Sequence, residues 1–176
     1  MIDRIREDTL HLMKIPGLSG HEEQVRSFIK EELKKIGLTP FFDKFGNITV
    51  TFPGAGPRVM LFTHMDQLGL IVRKIEDDGF LRFERVGGVP EKILPGLAIS
   101  AISKNGSALP GIIGIKSHHA TQPEEKYKVL SYRDLYIDLG MATAAEVRAN
   151  GIEIGSPVVY RPCLLYTSPS PRDFTE

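Results

Sequence analysis

The sequence is poor in cysteine, lacks tryptophan and carries no excess of charge of either sign. Cys163 is its one cysteine, so neither a disulfide framework nor a cysteine-based zinc site can form within a single chain. The 22 Lys and Arg residues balance the 22 Asp and Glu residues, which leaves no net field to recruit nucleic acid or an anionic membrane surface. Uncharged apolar runs fall far short of the roughly 20 residues that span a bilayer. We therefore expect neither nucleic-acid nor membrane partners.

The N-terminus lacks the features of a targeting sequence. Charged residues begin at Asp3, which leaves no apolar core for a secretory signal and too much acid for a transit peptide. The expected location is the cytoplasm. With 176 residues, of which 41% are hydrophobic, the chain has room for about one domain, or for one small domain and part of a larger one.

Two helices are predicted at the start of the chain. Apolar residues recur with helical spacing over residues 2–14 and again after Ser19. Ser19 and Glu22 have the spacing of a capping box, which predicts that the Ser19 side chain caps the second helix. Gly37 is placed where a left-handed residue ends such a helix.

Strand patterns follow the second helix. Residues 47–52 alternate in the manner of a strand, and the apolar run 59–63 predicts a buried strand. Two helices followed by such strands predict the opening of an α/β layer structure. In such folds the chemistry lies where strands end, here at Thr63 and His64.

The remainder of the chain is patterned as a small β domain. Turn signals such as Asp77-Asp78-Gly79 separate short apolar runs, which predicts a barrel or sandwich of about six strands. A short helix is predicted at 143–150, with Thr143 as its cap. The predicted strands lie at 68–75, 80–86, 97–103, 111–116, 134–139 and 157–160.

His64 and Asp66 are the strongest candidates for chemistry. In an extended backbone, residues two apart share a face, so the imidazole and the carboxylate project together. A neutral imidazole binds zinc or cobalt through one ring nitrogen, while a nearby carboxylate fixes its tautomer. On spacing alone, a structural or surface histidine is the commoner explanation for this pair.

Other polar groups have simpler explanations. His118 and His119 are adjacent, so in an extended chain they point to opposite faces and chelate poorly. No phosphate-binding loop and no Gly-x-Ser-x-Gly nucleophile elbow occurs in the sequence. The remaining candidates are expected to be solvent-exposed groups of helices or strands: His11, His21, Asp134 and Asp138.

Several segments together resemble one protein family. MLFTHMDQLGLIV, GFLRFERVGG, LPG, GIIGIKSHH, DLYIDLGMATAAEV and GIEIGSPVV resemble the M42 family of metallo-aminopeptidases, the glutamyl aminopeptidase-like enzymes, in order and spacing. PGLSGHEEQVRSFIKEEL and FGNI match that family's N-terminal pattern. The resemblance covers residues 1–162. By contrast, LLYTSPSPRD resembles translated adaptor sequence, so residues 163–176 are expected to be an artefactual tail.

The resemblance implies a fold and a site. The fold is α/β, with residues 1–67 as the N-terminal part of a mixed α/β zinc-peptidase domain and residues 68–162 as an inserted small, PDZ-like β-barrel domain. Two divalent metal ions, zinc or cobalt, serve the full-length enzyme. His64 is expected to bind one of them, with Asp66 as a catalytic helper beside it. Gln67 replaces the glutamate usual in the family, which removes a charge.

The resemblance also implies a function for the parent enzyme, which hydrolyses N-terminal residues of short peptides and assembles into large homo-oligomers. The family's other metal ligands and its general base cannot be matched in this sequence, so the chain is expected to be an N-terminal fragment that is inactive alone. One alternative is a non-catalytic docking or oligomerisation module built on residues 68–162. Glycoside hydrolysis is a second alternative, because some relatives have carried a cellulase label, but it needs a carboxylate pair that the sequence does not provide.

Overall fold

The computed structural model describes residues 2–162, which form three α-helices, eight strands and three short 3-10 helices. The segment 163–176, with Cys163, lies outside the described residues. The 3-10 helices are Glu91–Ile93, His118–Ala120 and Tyr132–Asp134. The other elements, in chain order, are α1 (Ile2–Leu12), α2 (Glu23–Lys35), β1 (Phe41–Phe42), β2 (Ile48–Thr49), β3 (Gly69–Ile75), β4 (Leu81–Val86), β5 (Ala98–Ile102), β6 (Ala108–Gly114), β7 (Tyr136–Asp138), α3 (Ala144–Ala149) and β8 (Pro157–Tyr160).

Strands β3 to β8 form a closed antiparallel barrel in the order β3-β4-β7-β6-β5-β8. Each of the six predicted strands has a counterpart, although the strand predicted at 111–116 runs over 108–114 and the one predicted at 134–139 runs over 136–138. Of the two predicted architectures, the barrel is confirmed. Period-two alternation explains which side chains face inward, since Leu81 and Phe83 of β4 are buried while Arg82 between them is partly exposed. Gly79 adopts a φ of 85° in the β3–β4 turn, a conformation that favours glycine.

The barrel has its own hydrophobic core, to which the short helix α3 contributes. Val147 of α3 and Ile152 after it are both buried in this core. The Thr143 side chain accepts a hydrogen bond of 3.2 Å from the Glu146 N–H, which confirms the predicted cap. The central members of the core are Leu70, Val72, Leu81, Phe83, Leu94, Ile99, Ile113, Leu135, Ile137 and Val158.

The N-terminal helices are packed much more thinly. Helix α1 buries no residue and α2 buries only Val25. Both predicted helices are confirmed, although α2 begins at Glu23 and the Glu22 side chain makes no capping hydrogen bond. The predicted end is also confirmed, since Gly37 has a φ of 77° and its N–H donates to the Lys34 carbonyl.

The Ser19 capping prediction is wrong. Ser19 lies outside the first turn of α2, and its hydroxyl donates to the Asp66 carboxylate instead. The Asp66 carboxylate is a strong acceptor for the proton of the Ser19 hydroxyl, whereas the free N–H groups at a helix N-terminus can only donate.

The predicted buried strand at 59–63 is also wrong. The side chains of Val59, Met60, Leu61 and Phe62 are 80–93% exposed, and the segment has no strand assignment. A strand exists only where a neighbour completes its hydrogen bonds, and no described strand lies alongside this one. Of the predicted strand at 47–52, only Ile48–Thr49 pairs, with Phe41–Phe42.

One junction ties the N-terminal region to the barrel. Leu18 is buried and packs against Ile102 of β5 and Val159 of β8. Beside it, the Gln67 N–H donates to the Gly17 carbonyl over 2.8 Å. The loop at 16–20 and the segment 64–67 are therefore held side by side at the edge of the barrel. Among residues 2–162, no helix has the length and apolar character needed to cross a membrane.

Candidate functional site

His64 and Asp66 form a direct pair. The His64 Nδ1 atom lies 3.0 Å from Asp66 Oδ1 and 2.9 Å from the Asp66 backbone carbonyl oxygen. Because both partners are acceptors, the neutral imidazole carries its proton on Nδ1. The Nε2 lone pair is then directed away from Asp66 and is free to bind an electrophile.

Ser19 extends this pair into a chain of three groups. Its Oγ donates to Asp66 Oδ2 over 2.5 Å, so the two carboxylate oxygens serve different partners. This hydrogen bond, with a smaller contribution from His64, holds the pKa of Asp66 below its usual value despite partial burial. The carboxylate is therefore ionised at neutral pH, as an orienting partner for an imidazole must be.

The order of the three groups excludes one familiar mechanism. In a serine hydrolase triad the serine donates to the imidazole, which removes its proton during attack. Here Ser19 donates to the carboxylate, and the imidazole lies on the other carboxylate oxygen. Ser19 thus has no base positioned to activate it as a nucleophile.

The loop that carries Ser19 approaches α2 closely because of Gly17. A β-carbon at Gly17 would lie 2.7 Å from the Val25 Cγ2 atom and 3.6 Å from the Met65 carbonyl oxygen. The first distance is a clash and the second an ordinary contact, so a larger residue would press on Val25 of α2. Glycine at this position therefore permits the close approach of the loop to α2.

The site lies open at the surface of the described region. The His64 side chain is 83% exposed, and that of Asp66 is 38% exposed. Cavities of about 250 Å³ and 320 Å³ occur in the described region, but neither is lined by His64 or Asp66. The larger one lies at the junction and includes Leu18 and His21.

Three other histidines make contacts away from this pair. The rings of His118 and His119 meet edge to face at 5.9 Å, and His118 Nε2 lies 3.4 Å from the Lys126 ammonium nitrogen. A metal ion there would meet the repulsion of that ammonium. His11 stacks on Phe28 at 4.5 Å, with the ring planes 15° apart.

Asp134 and Asp138 do not share a strand as predicted. Asp134 lies in the 3-10 helix Tyr132–Asp134, and only Asp138 belongs to β7. Asp138 accepts a 2.7 Å hydrogen bond from the Gly140 N–H, so it stabilises the turn after β7. Within residues 2–162, no group of three or more His, Cys, Asp or Glu side chains could hold a metal ion.

Sequence reasoning missed Ser19 as a site residue. Its partner Asp66 is 47 residues away, and the local pattern around Ser19 fits a helix cap equally well. No local signal distinguishes the two roles.

Comparisons with known proteins agree with this fold. The sequence profile of the M42 glutamyl aminopeptidase family matches residues 46–168. The protein SgcX of Escherichia coli (strain K12) is 35% identical over 162 residues, which are 90% of this chain and 43% of SgcX. A TET aminopeptidase from the marine sediment archaeon Thaumarchaeota archaeon SCGC AB-539-E09 superposes with a TM-score of 0.79 at 31% identity, over 85% of this chain and 42% of that one.

A second TET structure is similar. The Pyrococcus horikoshii TET1 peptidase, described as able to assemble into a tetrahedron or a large octahedral shell, superposes with a TM-score of 0.79 at 31% identity. The superposition covers 88% of this chain and 46% of TET1. The chain thus spans less than half the length of these relatives. On the profile match and the identity to SgcX, the chain belongs to the M42 glutamyl aminopeptidase family.

Proposed function

We propose that this chain is part of a dinuclear-metal aminopeptidase that hydrolyses the N-terminal residues of short peptides. Membership of the M42 family supports the reaction class. One observation carries the site: His64 Nδ1 is bound to Asp66, which leaves Nε2 free. Histidines that bind metals usually donate their other ring nitrogen to a carboxylate or carbonyl in this way.

In this proposal His64 is a ligand through Nε2, and Asp66 is the helper that orients it. The donor chemistry fits zinc or cobalt, both of which accept imidazole nitrogen. When bound, divalent ions supply Lewis acidity to the peptide carbonyl and to the attacking water. The described residues provide His64 as one ligand and no cluster that completes a centre.

The chain alone is proposed to be inactive because its described residues hold no cluster that completes a metal centre. A two-metal site needs carboxylates that bridge the ions and a base that accepts a proton from water. The purified chain is tested with leucine and glutamate p-nitroanilides and added Co²⁺ or Zn²⁺, with the His64→Ala variant as control. Turnover that His64→Ala abolishes would contradict the proposed inactivity, whereas turnover equal in both proteins would come from a contaminating peptidase.

The role of His64 is tested by adding Co²⁺ to the isotopically labelled chain. Paramagnetic broadening of backbone NMR signals is expected first around residues 64–67, with weak affinity because one imidazole binds the ion. His64→Ala should abolish this broadening, and the matched variant His118→Ala should leave it unchanged. Broadening confined to the region of His118 and His119 would overturn the assignment of His64.

The domain organisation and partners belong to the same proposal. Residues 1–67 are proposed as the N-terminal part of the catalytic domain, 68–162 as an inserted PDZ-like domain used in oligomerisation, and 163–176 as an artefactual tail. A cytoplasmic homo-oligomer is proposed for the full-length parent. The assemblies described for Pyrococcus horikoshii TET1 support that quaternary arrangement.

A second candidate function is a docking or oligomerisation module without catalysis. The observation that favours it is the barrel's own core, which is formed by residues from Leu70 to Val158 and does not involve His64. Light scattering after size-exclusion chromatography, combined with the Co²⁺ titration followed by NMR, separates the two. Bound metal that depends on His64 supports the enzyme fragment, whereas a metal-free oligomer supports the module.

A further inference from the structure

We infer that Ser19 is the positioning residue of this site: its hydroxyl fixes the Asp66 carboxylate so that Oδ1 faces His64 Nδ1 and the ring keeps Nε2 free for a metal. This inference deepens the proposed function and rests on it for the part that concerns metal. The hydrogen-bonded chain of Ser19, Asp66 and His64 itself is a property of the described residues.

The segment that carries His64 and Asp66 cannot fix the pair by itself. Residues 59–63 just before it make no strand pairing and are exposed, so the backbone of the segment is supported on one side only, by the hydrogen bond from the Gln67 N–H to the Gly17 carbonyl. A half-exposed aspartate can rotate its carboxylate and exchange its partners with water. The pair therefore needs a second anchor that comes from outside this segment.

Ser19 provides that anchor because its own loop is fixed. Its neighbour Leu18 is 1% exposed and packs under the barrel against Ile102 and Val159. The loop is also closed by the His21 N–H, which donates to the Leu18 carbonyl over 2.7 Å. The Ser19 hydroxyl thus extends from a rigid part of the fold toward a less constrained one.

The chemistry of a serine suits this role. A hydroxyl donates one hydrogen bond to Oδ2 and adds no charge, so the carboxylate stays anionic toward the Nδ1–H of the imidazole. An unconstrained neutral histidine favours the opposite tautomer, with its proton on Nε2. Holding the carboxylate in place therefore adds to the effect of the Asp66 backbone carbonyl, which lies 2.9 Å from Nδ1, in selecting the tautomer that a ligand requires.

The competing explanations for Ser19 do not fit its geometry. As a helix cap it would accept from an N–H of α2, but α2 begins at Glu23 and Ser19 donates to Asp66. As a nucleophile it would contact the imidazole, but its partner is Asp66 Oδ2, whereas the imidazole contacts Asp66 Oδ1.

The test reads the His64 tautomer by long-range ¹H–¹⁵N NMR of the imidazoles in the full chain without metal, with His64→Ala to assign the signal. In the unaltered chain the Nδ1–H form is expected to predominate. Ser19→Ala should shift His64 toward the Nε2–H form, and Ser19→Thr, which keeps the hydroxyl, should restore the Nδ1–H form. Ser27→Ala, which removes an exposed hydroxyl from α2, is the matched control and should change nothing.

Fold integrity is checked on the same samples. Unchanged backbone amide signals of the barrel show that a variant is folded. If the Ser19→Ala variant unfolds, Ser19→Cys, whose thiol is a weaker donor of similar size, takes its place. A folded Ser19→Ala or Ser19→Cys protein whose His64 keeps the Nδ1–H form overturns the inference. Loss of the Nδ1–H form in Ser19→Thr overturns it as well.

A Zn²⁺ titration then separates this inference from the proposed function. Ser19→Ala is expected to weaken Zn²⁺ binding at His64 by roughly 10–100-fold, the usual effect of losing an outer partner of a ligand. A tautomer that depends on Ser19, together with no Zn²⁺ binding at His64, supports the positioning role and contradicts the metal-ligand proposal.

Discussion

The barrel and the N-terminal region use apolar residues very differently. The six barrel strands close a ring around a continuous core, so their apolar side chains are buried on one face. In residues 2–67, α1 buries nothing, and the apolar run 59–62 is exposed. An apolar run therefore specifies a strand only when partners for its backbone and side chains lie next to it.

The candidate site lies where the two regions meet. Ser19, His64 and Asp66 all belong to the N-terminal region, but the loop that holds Ser19 is anchored by Leu18 on the barrel. The densely packed region therefore supports the geometry of the thinly packed one.

The largest expected difference between the regions comes from two phenylalanines. Phe83→Ala in β4 should lower the free energy of unfolding by about 3–5 kcal/mol, because Phe83 is 1% exposed in the barrel core. Phe62→Ala should change it by no more than about 0.5 kcal/mol, because Phe62 is 86% exposed. Urea denaturation followed by circular dichroism measures both. Equal losses would mean that Phe62 is covered in solution, and the contrast between the regions would fail.

The next largest expected effect is a loss of stability at the junction between the N-terminal region and the barrel, where Leu18 packs. Leu18→Ala should cost about 2–3 kcal/mol, at the low end of buried leucine truncations, because Leu18 packs in a small cluster. The loss should fall on the N-terminal region: hydrogen exchange should quicken at the hydrogen-bonded amides of residues 16–49 and of Gln67, while the β5 and β6 amides keep their protection. Leu12→Ala in α1, which removes a partly exposed leucine, is the control. Uniform loss of protection throughout the barrel would show that the regions unfold as one unit.

The smallest effect is a dependence on pH in the β1–β2 hairpin. Hydrogen bonds from the Asn47 side chain and backbone lower the pKa of Asp43. Because its pKa is lowered in the folded chain, Asp43 stabilises the folded state. This stabilisation is fully present above the ordinary aspartate pKa of about 3.9 and is lost as the pH falls through the lowered pKa. NMR titration should give Asp43 a lower pKa than an exposed aspartate, and Asn47→Ala should raise it. No rise in Asn47→Ala would show that Asn47 is not the cause.

Much of the barrel could be predicted from the sequence because its signals are local. Turn glycines such as Gly79, and the Thr143 cap of α3, act within a few residues of the elements that they delimit. The proximity of His64 and Asp66 is also local, since the two residues are two positions apart in the sequence.

The errors arose where the deciding partner is distant in sequence. The 59–63 run has the composition of a buried strand, but strand formation depends on a neighbour that no local pattern specifies. Ser19 satisfies the spacing rule for a helix cap, and only the folding of the chain reveals that Asp66 is its partner. The sequence pattern places Asp134 in a strand because the 3-10 turn at Tyr132–Asp134 leaves no signal in the alternation of apolar and polar residues.

The closed ring of the barrel has a consequence for how it can recognise other molecules. Domains that bind extended peptides by β-augmentation do so at an open sheet margin, where unpaired backbone groups accept an additional strand. Within residues 2–162, the ring is completed between β4 and β7 by the Leu81–Ile137 pair. We therefore expect recognition by this barrel to depend chiefly on its side chains and loops, which makes its selectivity a matter of surface chemistry.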